Sequence, residues 1–204
     1  GTNTVNSGAN NDVVNSSGGD SNITTESGSD QVTLSGSGTN TVNTGSNNDV
    51  VNASAGNNNI TTESGSDQVT LTGGTNAVNT GSSNDVVSVS GGVNNIITAD
   101  GSDQVTLTGG TNTVDTGSSG DTVTLSNGTD NVDTGSGNDT VEAGGTLTTA
   151  DTIDGGSNTD TIASTAAMTD ALAARLSNFE IFEIKGGGGI THDLSVLTGL
   201  TSLQ

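Results

Sequence analysis

No cysteine occurs in the chain, so neither a disulfide framework nor thiolate metal chemistry is available, and a single histidine, His192, cannot build an imidazole cluster. Tryptophan and tyrosine are absent, phenylalanine occurs twice, and hydrophobic residues make up only 27% of 204 residues, too few for a conventional packed core. Basic residues are nearly missing: Arg175 and Lys185 stand against 23 acids, for a formal charge of -21. Residues 1 to 160 hold 19 of those acids and no Lys or Arg. Nucleic acid is excluded as a main partner, because affinity for a phosphate backbone depends on Lys and Arg displacing counterions. No apolar run approaches the roughly 20 residues of a membrane-spanning helix. No signal peptide is present either, and with Gly1 first the chain reads as an excised fragment, which leaves room for a targeting segment outside it.

Low hydrophobicity combined with charge of one sign ordinarily marks a disordered chain, since burial cannot offset the ordering entropy. Against that stands a strict periodicity. A β-branched residue recurs every nine positions from Val42 through Val51, Ile60, Val69 and onward to Val141, and Val5, Val14, Ile23 and Val32 keep the same spacing before it. One extra residue within Ser35 to Gly38 shifts the register, and the pattern resumes at Ile153 and Ile162. Two positions before each of these stands a short polar residue, and Asp alternates there with a neutral one: Asn40, Asp49, Asn58, Asp67, Asn76, Asp85, Asn94, Asp103, Asn112, Asp121. From Asp121 onward the position is acidic at Asp130, Asp139, Asp151 and Asp160.

A period of 18 in the acid means two nonapeptides per coil, with every Asp on one edge and every Asn on the other; a three-sided coil of 27 residues would scatter them. Each nonapeptide reads as a Gly, Ser and Asn rich turn of about six residues and a three-residue strand such as Gln68 to Thr70. Strand alternation turns Val69 and Leu71 inward and Gln68 and Thr70 outward, leaving a thin aliphatic core. A 36-residue unit, beginning at Thr39 and again at Thr75, points to duplication of two coils.

Parallel strands about 4.8 Å apart would stack Asp12, Asp30, Asp49, Asp67, Asp85, Asp103, Asp121 and Asp139 in one column. Without neutralisation the column repels itself. Ca²⁺, which takes six to eight oxygens from carboxylates and turn carbonyls in flexible geometry, would relieve the repulsion; Mg²⁺ demands near-ideal octahedral geometry and dehydrates reluctantly. A solvated acidic face without metal is the usual reading of acidic runs, but strict placement in Gly-rich turns argues against it.

The segments TGSGNDTVE (Thr134 to Glu142) and GGSNTDTIA (Gly155 to Ala163) closely match the GGxGxDxUx nonapeptide, and the chain resembles an RTX calcium-binding β-roll. The resemblance implies an all-β fold, a two-sided right-handed parallel β-roll (β-solenoid) of 18 residues per coil over residues 1–162. A short mixed C-terminal cap of helix and strands would occupy residues 163–204. It also implies Ca²⁺ on the eight aspartates of the column, with Asp130, Asp160 and Asp151 as further candidates by motif position. Many turns depart from the motif by lacking the paired Gly, and one edge carries Asn where the family has Asp. Asn can lend a carbonyl oxygen to a cation, or its amides can form a hydrogen-bonded ladder; between Asn40 and Asn112 the ladder is the favoured expectation.

Beyond Ser164 the nonapeptide stops. TAAMTDALAARL offers a short helix capped by Thr169, with Leu172, Ala173 and Leu176 on one face. NFEIFEIKG reads as a strand alternating Phe179, Ile181 and Ile184, Gly186 to Gly189 as a loop, and ITHDLSVLTGLTSLQ as two more short strands with His192 at the surface. This order is similar to calcium-binding surface-layer proteins of Gram-negative bacteria, though a simple cap over the solenoid end is the favoured reading. No nucleophile, base and orienting group are brought together by any motif, so an enzyme is not expected.

The function expected is a calcium-stiffened structural segment of a secreted bacterial surface protein: a surface layer, extracellular filament or adhesin exported by type I secretion. Calcium ions, further copies or other surface proteins are the expected partners. A folding module of a secreted RTX enzyme is the alternative, and an outward face of Thr33, Thr70, Thr106 and Thr124 able to order ice or bind a ligand is a third.

Overall fold

The computed structural model describes residues 1–185 and the short strand Ser202–Leu203. Successive strands fall on opposite sides of a flattened coil. One sheet holds β1 (Asn3–Asn6), β3 (Ser21–Thr24), β5 (Thr39–Asn43), β7 (Asn57–Thr61), β9 (Thr75–Asn79), β11 (Val93–Ile97), β13 (Thr111–Asp115), β15 (Thr129–Asp133), β17 (Thr152–Asp154) and β19 (Leu176–Ser177). The other holds β2 (Val13–Ser16), β4 (Gln31–Leu34), β6 (Val50–Ala53), β8 (Gln68–Leu71), β10 (Val86–Val89), β12 (Gln104–Leu107), β14 (Thr122–Leu125), β16 (Thr140–Gly144), β18 (Thr161–Ser164), β20 (Ile181–Ile184) and β21 (Ser202–Leu203). Each strand pairs in parallel with the strand two along the chain, so Val69 lies between Val51 and Val87. The result is the two-sheet parallel β-solenoid that the 18-residue period requires.

Insertions are absorbed in the turns without breaking the stack. The extra residue near Gly36 makes Ser21 pair with Asn40 and Gln31 with Val50. A longer detour after β16 carries Val132 to Ile153 and Val141 to Ile162, and it tucks Leu147 against the core.

The two edges differ more than equal nonapeptides suggest. On the Asp edge the turn Thr44 to Asp49 has the expected six residues, followed by the four-residue β6. On the Asn edge only Ser54 to Gly56 separate β6 from the five-residue β7, which contains Asn58. The expectation of six-residue turns and three-residue strands on both sides is therefore corrected. Asn has both donor and acceptor, so it can stack on its own kind inside a sheet; a carboxylate has only acceptors and takes its hydrogen bonds from backbone N–H groups.

Inward positions alternate as expected: Val69 and Leu71 are fully buried. Each regular coil contributes about three aliphatic side chains, such as Val51, Ala53 and Ile60, and the remaining interior is Thr, Asp and Asn. The stability of this interior depends on how those polar side chains are satisfied.

Past β18 the stack continues by another coil. The helix α1 is a single turn, Asp170–Ala173, with Thr169 as its N-cap accepting from the amide of Leu172. Leu176 is not on its face but in β19, paired beside Asp154's strand with Ile153. In β20 the inward residue is Phe182, opposite Ile162, while Ile181 and Ile184 are partly exposed. The expected Phe179, Ile181, Ile184 alternation is corrected to Phe179 and Phe182, because the register with β18 decides which face meets the core. Of the two later strands, Ser202–Leu203 pairs with β20. The Gly186 to Gly189 loop, the other strand and His192 lie outside the described residues. No described helix is long and apolar enough to cross a membrane.

Candidate metal centre

The six-residue turn needs two residues at positive φ, its second and fourth. In Thr44 to Asp49 these are Gly45 at 87° and Asn47 at 84°; in the next coil they are Glu63 at 65° and Gly65 at 132°. One glycine per turn suffices because the stacking alternates. A Cβ on Gly45 would stand 1.7 Å from the carbonyl oxygen of Glu26 in the coil below, and one on Gly65 would stand 2.2 Å from that of Asn47. At both positions the backbone carbonyl of the coil below leaves no room for a side chain, so glycine is required there.

This turn delivers the aspartates to a single file. The amide of Asp12 donates to Oδ1 of Asp30 at 2.8 Å, Asp30 to Asp49 at 2.8 Å, Asp49 to Asp67 at 2.7 Å and Asp67 to Asp85 at 2.8 Å. Asp85, Asp103, Asp121 and Asp139 continue it to Asp103, Asp121, Asp139 and Asp160. Asp160 thereby joins the column as its ninth member. The file ends at Glu180, whose Oε2 accepts the amide of Asp160 at 2.8 Å.

Only half of each carboxylate is used in this way. Oδ2 of Asp12, Asp30, Asp49, Asp67, Asp85, Asp103, Asp121, Asp139 and Asp160 is buried without a hydrogen-bond partner. Burial pushes the carboxyls of Asp49, Asp85 and Asp160 up from 3.8 to about 6, and that of Asp121 to about 7. For Asp85 the amide of Asp67 and the Thr80 hydroxyl pull the value back in part, and the charges of Asp67 and Asp103 push it up again. Asp67, Asp103 and Asp139 are raised by burial in the same way. Such a column cannot remain both buried and fully ionised; it takes up protons or a cation.

The Asn edge is built differently. Asn40 donates to Asn58 at 2.8 Å, Asn58 to Asn76 at 2.7 Å, Asn76 to Asn94 at 2.7 Å and Asn94 to Asn112 at 2.8 Å. The second amide hydrogen of Asn58, Asn76, Asn94 and Asn112 reaches a carbonyl of the adjoining loop. The expected amide ladder is formed, and it satisfies its own donors. Asn112 passes it to Oδ1 of Asp130 at 2.7 Å, and the amide of Asp130 donates to Oδ1 of Asp151 at 2.9 Å. Both oxygens of Asp151 are engaged, since Oδ2 accepts from the amide and hydroxyl of Thr148. Asp130 is raised by burial and by the Asp151 charge.

Of the eleven aspartates singled out from sequence, nine therefore share one column and Asp130 and Asp151 sit on the opposite edge. Among the described residues no three carboxylate, imidazole or thiol side chains converge on a point. A cation held here would draw on carboxylates of consecutive coils and complete its shell from turn oxygens. The unpaired Oδ2 atoms and the all-oxygen surroundings fit a hard ion such as Ca²⁺ and not a thiolate- or imidazole-seeking metal.

Sequence reasoning passed over a second column. Thr25, Thr44, Thr62, Thr80, Thr98, Thr116 and Thr134 are fully buried beside the aspartates. The signal was present as a Thr five positions before each of the seven aspartates from Asp30 to Asp139, where the nonapeptide motif has its first Gly. Glu180 was also passed over, because its role depends on the register of the last coil.

A family model described as the RTX calcium-binding nonapeptide repeat (4 copies) matches residues 1–33, 34–69, 70–105, 106–141 and 148–166. No curated protein matches the chain in sequence. Among solved structures, the chain is similar to the X-ray structure of a hyperactive, Ca²⁺-dependent, beta-helical antifreeze protein from an Antarctic bacterium, with a TM-score of 0.73 and 20% identity. That likeness covers 92% of this chain and 62% of the other, and at this identity it concerns the fold.

Proposed function

The chain belongs to the RTX calcium-binding nonapeptide repeat family, and from that premise we propose that it is a calcium-stiffened rod segment of a secreted bacterial surface protein. One observation carries this reading: nine buried carboxylate oxygens in file have no hydrogen-bond partner. Ca²⁺ held along Asp12 to Asp160 would supply the missing counter-charge and take those oxygens. The chain's own residues do the rest. Backbone amides of the coil below fix one oxygen of each carboxylate from Asp30 to Asp160, Glu180 closes the file, and the ladder from Asn40 to Asn112 holds the opposite edge there without charge. Asp130 and Asp151 are further candidate ligands on that edge, with Asp151 the weaker because donors already occupy both its oxygens.

Calcium sites in external modules bind at about 0.1 to 1 mM. The chain would accordingly stay unfolded in a low-calcium cytoplasm and fold on export, as suits type I secretion, and its role is structural instead of catalytic. Circular dichroism at pH 7.5 tests the switch: β signal should vanish in EGTA and return with calcium. Full β structure in EGTA would refute it.

A second reading is favoured by the outer face of β4, β6, β8, β10, β12 and β14. Thr33, Asn52, Thr70, Ser88, Thr106 and Thr124 lie there in register, a row of uncharged hydroxyl and amide side chains. The similar fold of an antifreeze protein makes ice a ligand to test, and absence of thermal hysteresis in the calcium-loaded chain would dismiss it.

A further inference from the structure

With 23 acids against 2 bases, two copies of this chain repel each other wherever their charge meets. The outer face of β2 to β14 carries none of that charge. Its first row alternates valine and glutamine from coil to coil: Val13, Gln31, Val50, Gln68, Val86, Gln104. Its second is the hydroxyl and amide row that includes Asn52, Thr70 and Ser88. The next residue along that row is charged only at Glu142, in β16. On the other sheet Asp115 and Asp133 stand exposed in register.

Val13 is 68% exposed, and Val50 and Val86 are partly exposed. An uncharged pleated face of β-branched and amide side chains is the kind that interdigitates with a second sheet. The two-coil alternation also makes this face complementary to itself. Half a turn about an axis lying along β8, in the plane of contact, reverses the order of the coils and lays each row over its own copy. Gln68 and Thr70 then meet themselves, Val50 meets Val86, Gln31 meets Gln104 and Asn52 meets Ser88. Valine falls on valine and amide on amide or hydroxyl, as an isologous interface requires. The same operation about β9 on the other sheet would set Asn57 against Val93 and Asn43 against Asp115.

We propose that the outer face of β2 to β14 binds a second copy of this chain, as a two-fold dimer centred on Gln68. The proposal deepens the reading of the chain as a structural segment by naming its partner, and it rests on that reading for a folded, calcium-loaded roll. Seven strands about 4.8 Å apart and four residues of about 3.3 Å each give roughly 34 by 13 Å, or about 440 Å² of flat sheet per copy. That is below the ~800 Å² per partner of a standard interface, which makes the dimer a weak one. Like charge elsewhere on the two copies opposes it, so salt strengthens it by screening.

Sedimentation equilibrium of the full chain in excess calcium, from about 10 μM to about 1 mM protein, tests it. Dimer should appear toward the top of that range and tighten about threefold between about 0.05 and 0.5 M NaCl. Q68E sets two like charges against each other on the axis and should weaken the dimer at least about tenfold. A77E adds the same charge to the exposed face of the other sheet and should leave the dimer unchanged. Because the chain has no cysteine, a short bismaleimide should join Q68C to its own copy and leave A77C single. A chain that is monomeric throughout, a dimer that dissociates with salt, or a dimer that Q68E leaves intact overturns the proposal, the first of these leaving the face open to ice or another partner. Circular dichroism on the same samples reports whether the roll is folded; a chain unfolded in calcium would bring down the structural-segment reading and the dimer with it.

Discussion

Protons should substitute for calcium in folding this chain. In the folded column Asp49, Asp85 and Asp160 have their pKa raised from 3.8 to about 6, and Asp121 to about 7. A carboxyl whose folded pKa lies above its unfolded value binds protons more readily in the folded state. Its contribution is complete below pH 3.8 and is lost as pH rises through 6 to 7. Between pH 8 and pH 5 each of these groups contributes on the order of 1 to 3 kcal/mol. Together that is several kcal/mol, an appreciable part of the stability of a typical domain. Protonating one carboxylate relieves its neighbours, so the sum is an upper figure. The assay is the far-ultraviolet circular dichroism signal in EGTA from pH 8, where the ion-free chain is unfolded, to pH 5, with thermal melting wherever β signal is present, stopping above the pI of about 4.1 to keep the chain soluble. The ion-free roll should gain stability continuously as pH falls, whereas calcium affinity should fall over the same range because protons compete for the same oxygens. An ion-free chain that gains no β signal on going to pH 5, or whose melting temperature falls toward pH 5, would refute the reasoning.

Replacing Asp85 by Asn keeps an acceptor for the amide of Asp67 and removes one buried charge. It should stabilise the roll in EGTA by about 3 kcal/mol and weaken calcium binding, a reversal of sign that paired melts with and without calcium would reveal. On the other edge, Asn76→Ala strands the donor of Asn58 and the acceptor of Asn94. A loss of about 2 to 4 kcal/mol is expected in chemical denaturation, with the number of bound calcium ions unchanged. Gly45→Ala would press a Cβ against the carbonyl of Glu26 at 1.7 Å; a loss of several kcal/mol is expected, while Gly18→Ala, with nothing within 4 Å, should melt like the parent.

The alternation of Asp49 with Asn58 and Asp67 with Asn76 was enough to give the two-sided coil, its period and its unequal edges. Side-chain direction repeats with the strand, and stacking brings the same position of every coil to the same place. The strictness of the nonapeptide makes local pattern and global arrangement nearly one statement. Where it lapses, beyond Ser164, reading became poorer: Phe182 faces the core in place of Ile181, and Leu176 left the helix for a strand. Those assignments depend on contacts with β17 and β18 that no local pattern encodes.

What the sequence by itself determined is therefore the solenoid, the column of aspartates and the neutral ladder facing it, because each follows from periodicity alone. Only the tertiary structure decided that Asp160 extends the column and Glu180 ends it, that one oxygen of each carboxylate is left unpaired, and that a column of buried threonines lines the aspartates. Those distinctions arise from hydrogen-bond geometry between residues 18 to 21 apart, and identical letters at identical repeat positions do not reveal which donor has found its acceptor.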